Sequence, residues 1–199
     1  MPIVLLVLLG FLAIIVIVAL AVVGVYNTLV TLRNQFRNGF AQVDVQLKRR
    51  HDLIPNLVET AKGYMAHERG TLEAVINARP KATQASVQLA GSPGDSNSIR
   101  NVIQAESGLS GALSRLMVVA ENYPQLKADT TMRQLMDELA TTENRIAFAR
   151  QGYNDSVLQY NNAREVFPNV FVANMFGFAT ADFFKVESEE ERVAPKVSF

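Results

Sequence analysis

The chain has 199 residues with 19 basic and 19 acidic side chains, so its formal charge is zero and bulk attraction to nucleic acid is excluded. It contains no cysteine, which removes disulfides, thiolate metal sites and cysteine nucleophiles and suits a reducing compartment.

The first charged side chain is Arg33, and everything from Pro2 to Val25 is apolar or glycine. A hydrocarbon core of roughly 30 Å needs about 20 apolar residues at 1.5 Å of rise each, so Ile3 to Val25 predict a membrane-spanning helix. Strand is excluded because its backbone would be left unpaired in lipid. A cleavable signal peptide competes, since Ala19-Leu20-Ala21 has the small-x-small form. Against it stand the missing basic n-region and an apolar stretch longer than the usual core of about 7 to 15 residues. The basic residues Arg33, Arg37, Lys48, Arg49 and Arg50 all follow the span, which orients the N-terminus outside and the body in the cytoplasm. The same five side chains are candidate contacts for lipid headgroups. Residues 1–26 thus read as an anchor, 27–180 as a helical domain and 181–199 as an acidic tail carrying Glu187, Glu189, Glu190 and Glu191.

Leu29, Leu32, Phe36, Phe40, Val43 and Leu47 are spaced by threes and fours, the stripe of a helix running straight out of the anchor. Pro55 predicts a kink or the start of a second helix, because proline is tolerated in a first turn and not in an interior. Leu57, Ala61, Met65, Leu72, Val75 and Arg79 carry that second helix to Pro80. Residues Gly91 to Ser98 are the densest turn signal. A third helix follows with Ile99, Val102, Leu109, Leu113, Leu116 and Ala120 inward, ending near Tyr123-Pro124. Asp129-Thr130-Thr131 supply N-cap residues, with Gln134 as a capping-box partner. The stripe Met132, Leu135, Leu139, Thr142, Ile146, Ala149, Tyr153, Tyr160 then runs to Phe167-Pro168, a helix of about 54 Å. Helices this long predict an all-α, elongated antiparallel bundle of about four. Val170 to Phe178 reads as a short amphipathic helix, and the chain after Asp182 as extended or mobile.

Catalytic patterns fail one by one. His51 and His67 are the only histidines, neither has a glutamate three residues before it, and His67-Glu68 lacks the second histidine of a zincin. Phosphate loops, nucleotide fingerprints and a serine elbow are absent, and Asn154-Asp155-Ser156 reads as a chance sequon. No cofactor and no metal is expected. Polar residues at helical spacing remain. Asp44, Lys48 and Asp52 alternate in sign at i, i+4, i+8, and Glu143, Arg150 and Asn154 share a face with Arg145 close by. These read as register-setting pairs or as a contact surface, joined by Phe171 and Phe176 near the end.

The run Val43-Asp44-Val45-Gln46-Leu47-Lys48-Arg49-Arg50-His51-Asp52-Leu53-Ile54-Pro55-Asn56-Leu57-Val58-Glu59-Thr60, with Lys62-Gly63-Tyr64 and His67-Glu68, resembles the signature of the LemA family. So do Tyr26-Asn27, Leu32-Arg33-Asn34, Glu121 to Lys127, Glu143 to Ala147, Ala149-Arg150, Tyr153-Asn154, Phe167-Pro168 and Gly177-Phe178. The likeness covers residues 5 to 199, with Phe40, His51 and Pro80 as departures. It implies a bacterial inner-membrane protein with a cytoplasmic bundle of long helices and no established activity. Some relatives are tied to magnetosome membranes, which makes membrane organisation the nearest idea. The expectation is a non-enzymatic, self-associating scaffold, or alternatively an adaptor presenting the bundle or Val170–Phe178 to a protease or secretion component. Expected partners are membrane lipids, further copies of the chain and other membrane proteins.

Overall fold

A computed structural model describes residues 2–185; the acidic residues from Glu187 onward lie outside the described residues. The chain forms α1 (Pro2–Lys62), α2 (Arg69–Gly91), α3 (Ser96–Ala120), α4 (Pro124–Ala128), α5 (Thr130–Glu165) and α6 (Asn169–Met175), with no strand among the described residues. The 61 residues of α1 make one rod of about 90 Å. Its first part holds a window apolar enough to cross a membrane and none of that window is buried against protein. The remainder, from Tyr26 to Lys62, spans about 55 Å, close to the length of α5 beside it.

Neither proline ends a helix: no second helix starts at Pro55, and the second helix does not stop at Pro80. α1 passes through Pro55 and α2 passes through Pro80, so the first turn of the bundle falls at residues 63–68 and the second helix reaches Gly91. A proline inside a helix frees the carbonyl four residues earlier. For Pro55 that carbonyl belongs to His51, and Arg79 Nε of α2 donates to it at 2.6 Å. A tertiary contact therefore replaces the lost helical bond.

α1 runs away from the anchor, α2 returns, α3 ascends again and α5 descends to the base. Asp95 caps α3 by accepting from Ser98 N–H, and Asp129 caps α5 by accepting from Met132 N–H. Gln134 makes no reciprocal box, because the cap sits at Asp129, ahead of Thr131. Gly94, at φ 95°, turns the chain between α2 and α3 with Phe36 and Ala181 packed against it. At the distal end Tyr64 donates to Asp129 and Tyr123 to Glu68.

The core divides into two apolar clusters stacked along the rod. The lower one gathers Phe36, Phe40, Val43 and Leu47 with Tyr153, Val157 and Tyr160. The upper one gathers Ile54, Leu57 and Ala61 with Val75, Leu109, Leu116 and Met132. Gly39 lets the lower helices close up, since a Cβ there would lie 3.2 Å from Tyr153 Cα.

After α6 the chain turns at Gly177, φ 68°, and climbs back along α5 as an extended strap through residues 178–185. Two Tyr-Asn dipeptides one heptad apart hold it. Tyr160 donates to Ala179 O and Asn161 pairs with both the N–H and the C=O of Ala181. Tyr153 donates to Asp182 O and Asn154 pairs with both backbone groups of Phe184. Ala181 and Phe184 are buried, so the bundle extends past residue 180 and takes in the first residues of what reads in sequence as an acidic tail.

Replacing Asn161 by Ala leaves the Ala181 N–H and C=O without partners and should lower unfolding stability by about 2–3 kcal/mol, measured by denaturant titration in detergent. Replacement of the exposed neighbour Asn162 should cost under about 0.5 kcal/mol. Burial raises the proton affinity of the Tyr153 and Tyr160 phenols. Their contribution is complete below the ordinary tyrosine value of about 10 and is lost as pH climbs above it. The thermal midpoint should therefore fall at alkaline pH, and Tyr153→Phe should flatten that fall.

Candidate functional site

Between the two apolar clusters lies one polar layer to which all four long helices contribute. α1 supplies Arg50 and His51, α2 Arg79 and Thr83, α3 Glu106 and Ser110, α5 Glu143 and Arg150. Arg50, His51 and Glu106 are buried, at 4%, 3% and 2% exposure. Three polar groups at that depth persist only when paired.

The pairing is dense. His51 Nε2 lies 2.7 Å from Glu106 Oε1, hydrogen-bond distance between ring and carboxylate. Its Nδ1 lies 3.3 Å from Thr83 Oγ1. Arg50 Nη1 reaches Glu106 Oε2 at 3.3 Å and Glu143 Oε2 at 3.1 Å, while Nη2 donates to Ser110 Oγ at 2.7 Å. One guanidinium thus ties α1 to both α3 and α5. Arg150 lies at the lower edge, its proton affinity reduced by burial and sustained by Glu106 and Glu143, with its guanidinium 4.7 Å above the Phe184 ring.

The five basic candidates for headgroup contact separate. Arg50 is taken out of that role, because it is enclosed by Glu106, Glu143 and Ser110. Lys48 and Arg49 lie about 35 Å along α1 from Val25, beyond headgroup reach, and Arg49 faces Glu138 at 3.7 Å. Arg33 and Arg37 stay at the base, lining a cavity with Phe178 and Gly94, with Arg33 5.1 Å above the Phe178 ring. The Asp44–Lys48–Asp52 ladder forms no ion pair along α1 among the described residues; Asp52 meets Arg79 at 3.9 Å. Burial raises the proton affinity of Asp44, against the pull of Lys48 and His51. Asn154 clamps the strap, Arg145 lines an outer groove with Phe148, and Phe171 and Phe176 are exposed at the base.

Glu106 and Thr83 escape the sequence reading, although Glu106 carries a signal. It sits on the α3 stripe between Val102 and Leu109, as Arg50 and His51 sit between Leu47 and Ile54. A charged residue in a core register predicts a partner at the same height. Chemically, the layer offers two carboxylates already engaged by Arg50 and no unoccupied nucleophile beside His51. Among the described residues no three or more His, Asp or Glu side chains gather as a metal site. His67 is exposed on the distal turn, away from the layer.

A candidate transmembrane helix continued into a four-helix rod, pinned at mid-height by a polar layer, defines an elongated helical-bundle protein with a candidate membrane span. The chain belongs to the LemA family, whose model matches residues 39–199. It is 28% identical over 178 residues to "Magnetosome protein MamQ 2" of Paramagnetospirillum magneticum, a match covering 80% of this chain and 64% of that protein. It is 27% identical over 177 residues to "Magnetosome protein MamQ" of Magnetospirillum gryphiswaldense, again with 64% of the relative covered. "Protein LemA" of Metamycoplasma hominis is 25% identical over 171 residues, covering 86% of this chain and 73% of the relative. The chain therefore spans under two thirds of the length of the magnetosome proteins it matches.

The pairing of Arg79 with the carbonyl freed by Pro55 predicts a thermodynamic cycle. Arg79→Ala should cost about 1–3 kcal/mol, because a buried carbonyl loses its donor. In a Pro55→Ala background the backbone N–H returns to that carbonyl, and the cost should shrink by about 1 kcal/mol or more. Equal costs in both backgrounds would show that Arg79 acts elsewhere.

Proposed function

We propose that this protein is a non-enzymatic, single-pass scaffold whose copies associate side by side at the bacterial inner membrane, with the N-terminus outside and the bundle in the cytoplasm. The observation that carries the reading is an open groove between α1 and α5, about 630 Å³, lined by Ala41, Gln42, Val45, Gln46, Arg145 and Phe148 among others. Phe148 is 80% exposed and Val45 62%, an apolar pair on a helix face that ordinary solvation would make polar. Gln46 Oε1 is buried there without a donor.

A second copy fits this groove for a geometric reason. α1 is continuous from the span into the bundle, so every anchored copy carries Val45 at one height, about 30 Å beyond Val25. Two copies related by an axis along the membrane normal then meet groove to groove, as a closed two-fold contact requires. The relatives named magnetosome proteins agree with a role in building a membrane-associated assembly. The same groove serves the alternative reading, an adaptor toward a protease or secretion component.

The chain lacks cysteine, so Val45→Cys is a single-site reporter. Oxidation in native membranes should give a disulfide-linked self-dimer, and Phe148→Ala should weaken association by roughly tenfold or more in light scattering of the full chain in detergent. A monomer at micromolar concentration with no self-adduct would overturn the scaffold, and adducts with one other protein would favour the adaptor.

A further inference from the structure

α6 is amphipathic the wrong way round for a helix that faces water. Val172 and Ala173 pack inward, while Phe171 and Met175, four residues apart, point outward at 64% and 75% exposure. Phe167, 80% exposed, extends the same face and meets Phe171 edge-on at 5.9 Å. From Val166 to Ala181 the chain carries no charged side chain. A water-facing surface of this composition is a surface awaiting an apolar neighbour.

Its position says which neighbour. Tyr26 is the residue after Val25, the end of the apolar span, and its ring packs edge-on against Phe176 at 5.0 Å and Phe178 at 5.5 Å. The α6 segment is thereby held level with the end of the apolar span of α1, whose own large apolar side chains are exposed. Aromatic side chains at that level belong to the boundary between headgroups and acyl chains. Arg33 and Arg37 lie on the next turns of α1, where cations meet the headgroup layer.

We infer that Phe167, Phe171 and Met175 form a foot that inserts into the membrane interface, giving the protein a second lipid contact beside its span. This inference rests on Ile3–Val25 being a membrane span. The foot fixes the rod's tilt and rotation, because the rod then has two attachments on one leaflet instead of one. It also accounts for the strap: the clamped residues 178–185 hold α6 against α1 from above.

The chain has no tryptophan, so single replacements report one site each. The full chain is placed in vesicles whose acyl chains are brominated near the headgroup, with Phe11→Trp as the reporter for the span and Phe148→Trp for the distant bundle. Phe171→Trp should be quenched comparably to Phe11→Trp and emit blue-shifted, while Phe148→Trp should be unaffected; Phe167→Trp provides an independent second reporter. If Phe11→Trp is quenched while Phe171→Trp and Phe167→Trp remain open to aqueous acrylamide, the foot is overturned and the span stands. Shielding of Phe171→Trp from acrylamide without bromine quenching would mean a protein covers it, which also overturns the proposal. Absence of quenching at Phe11→Trp would remove the span and the foot together.

Discussion

Helix α1 has to remain helical through Pro55, because Ile54 before the proline and Leu57 and Ala61 after it belong to one upper cluster, while the stripe up to Leu47 belongs to the lower. A kink there would swing Leu57 and Ala61 away from α2 and detach the upper cluster from the rod that carries the anchor. The helix survives because the unpaired His51 carbonyl is met by Arg79. That one bond also sets the height of α2 against α1, and the α2–α3 hairpin then brings Glu106 to the level of Arg50 and His51. The layer and the two clusters above and below it all depend on α1 running unbroken through Pro55.

The polar layer is better understood as a device for register than as a source of stability. Removing three charged or polar side chains from water carries a desolvation cost that their pairing at best offsets, and an apolar layer of equal volume would serve stability as well. An apolar layer would also tolerate sliding. In a bundle of long helices, a shift of one heptad swaps leucine for leucine at modest cost, since apolar packing is non-directional. With Arg50 bridging Glu106, Glu143 and Ser110, such a shift strands a buried charge. Arg50 and His51 being adjacent on α1 makes the constraint two-sided, toward α3 with Glu106 and toward α2 with Thr83.

The architecture was legible from periodicity, because long stripes of threes and fours are the strongest pattern a sequence carries. Leu29 to Leu47 and Met132 to Tyr160 fall inward almost without exception. The prolines misled because local propensity treats Pro55 and Pro80 as breaks, and for Pro55 the compensating donor, Arg79, lies far along the chain. The polar layer was half legible: Arg50, His51 and Glu106 stand on core registers, yet no pattern along one helix says which of them meet. The Asp44–Lys48–Asp52 series shows the reverse error, where ideal spacing on one helix loses to tertiary partners such as Arg79. The strap was invisible, since Asn154 and Asn161 are polar residues on an exposed-looking edge and their partners are backbone groups.

The two Tyr-Asn dipeptides bind two lattices of unequal grain. Seven residues of helix rise about 10.5 Å, and three residues of extended chain advance about 10 Å, so the two repeat in phase over this distance. Length changes in this part of the protein are therefore quantised. A single residue lost between Ala181 and Phe184 would turn Phe184 toward solvent and leave one asparagine facing the wrong peptide, whereas a heptad added to α5 is accommodated by three more residues of strap. Lineages that lengthen the rod should carry paired insertions in that ratio, and the segment becomes a vernier on which the height of the bundle can be read.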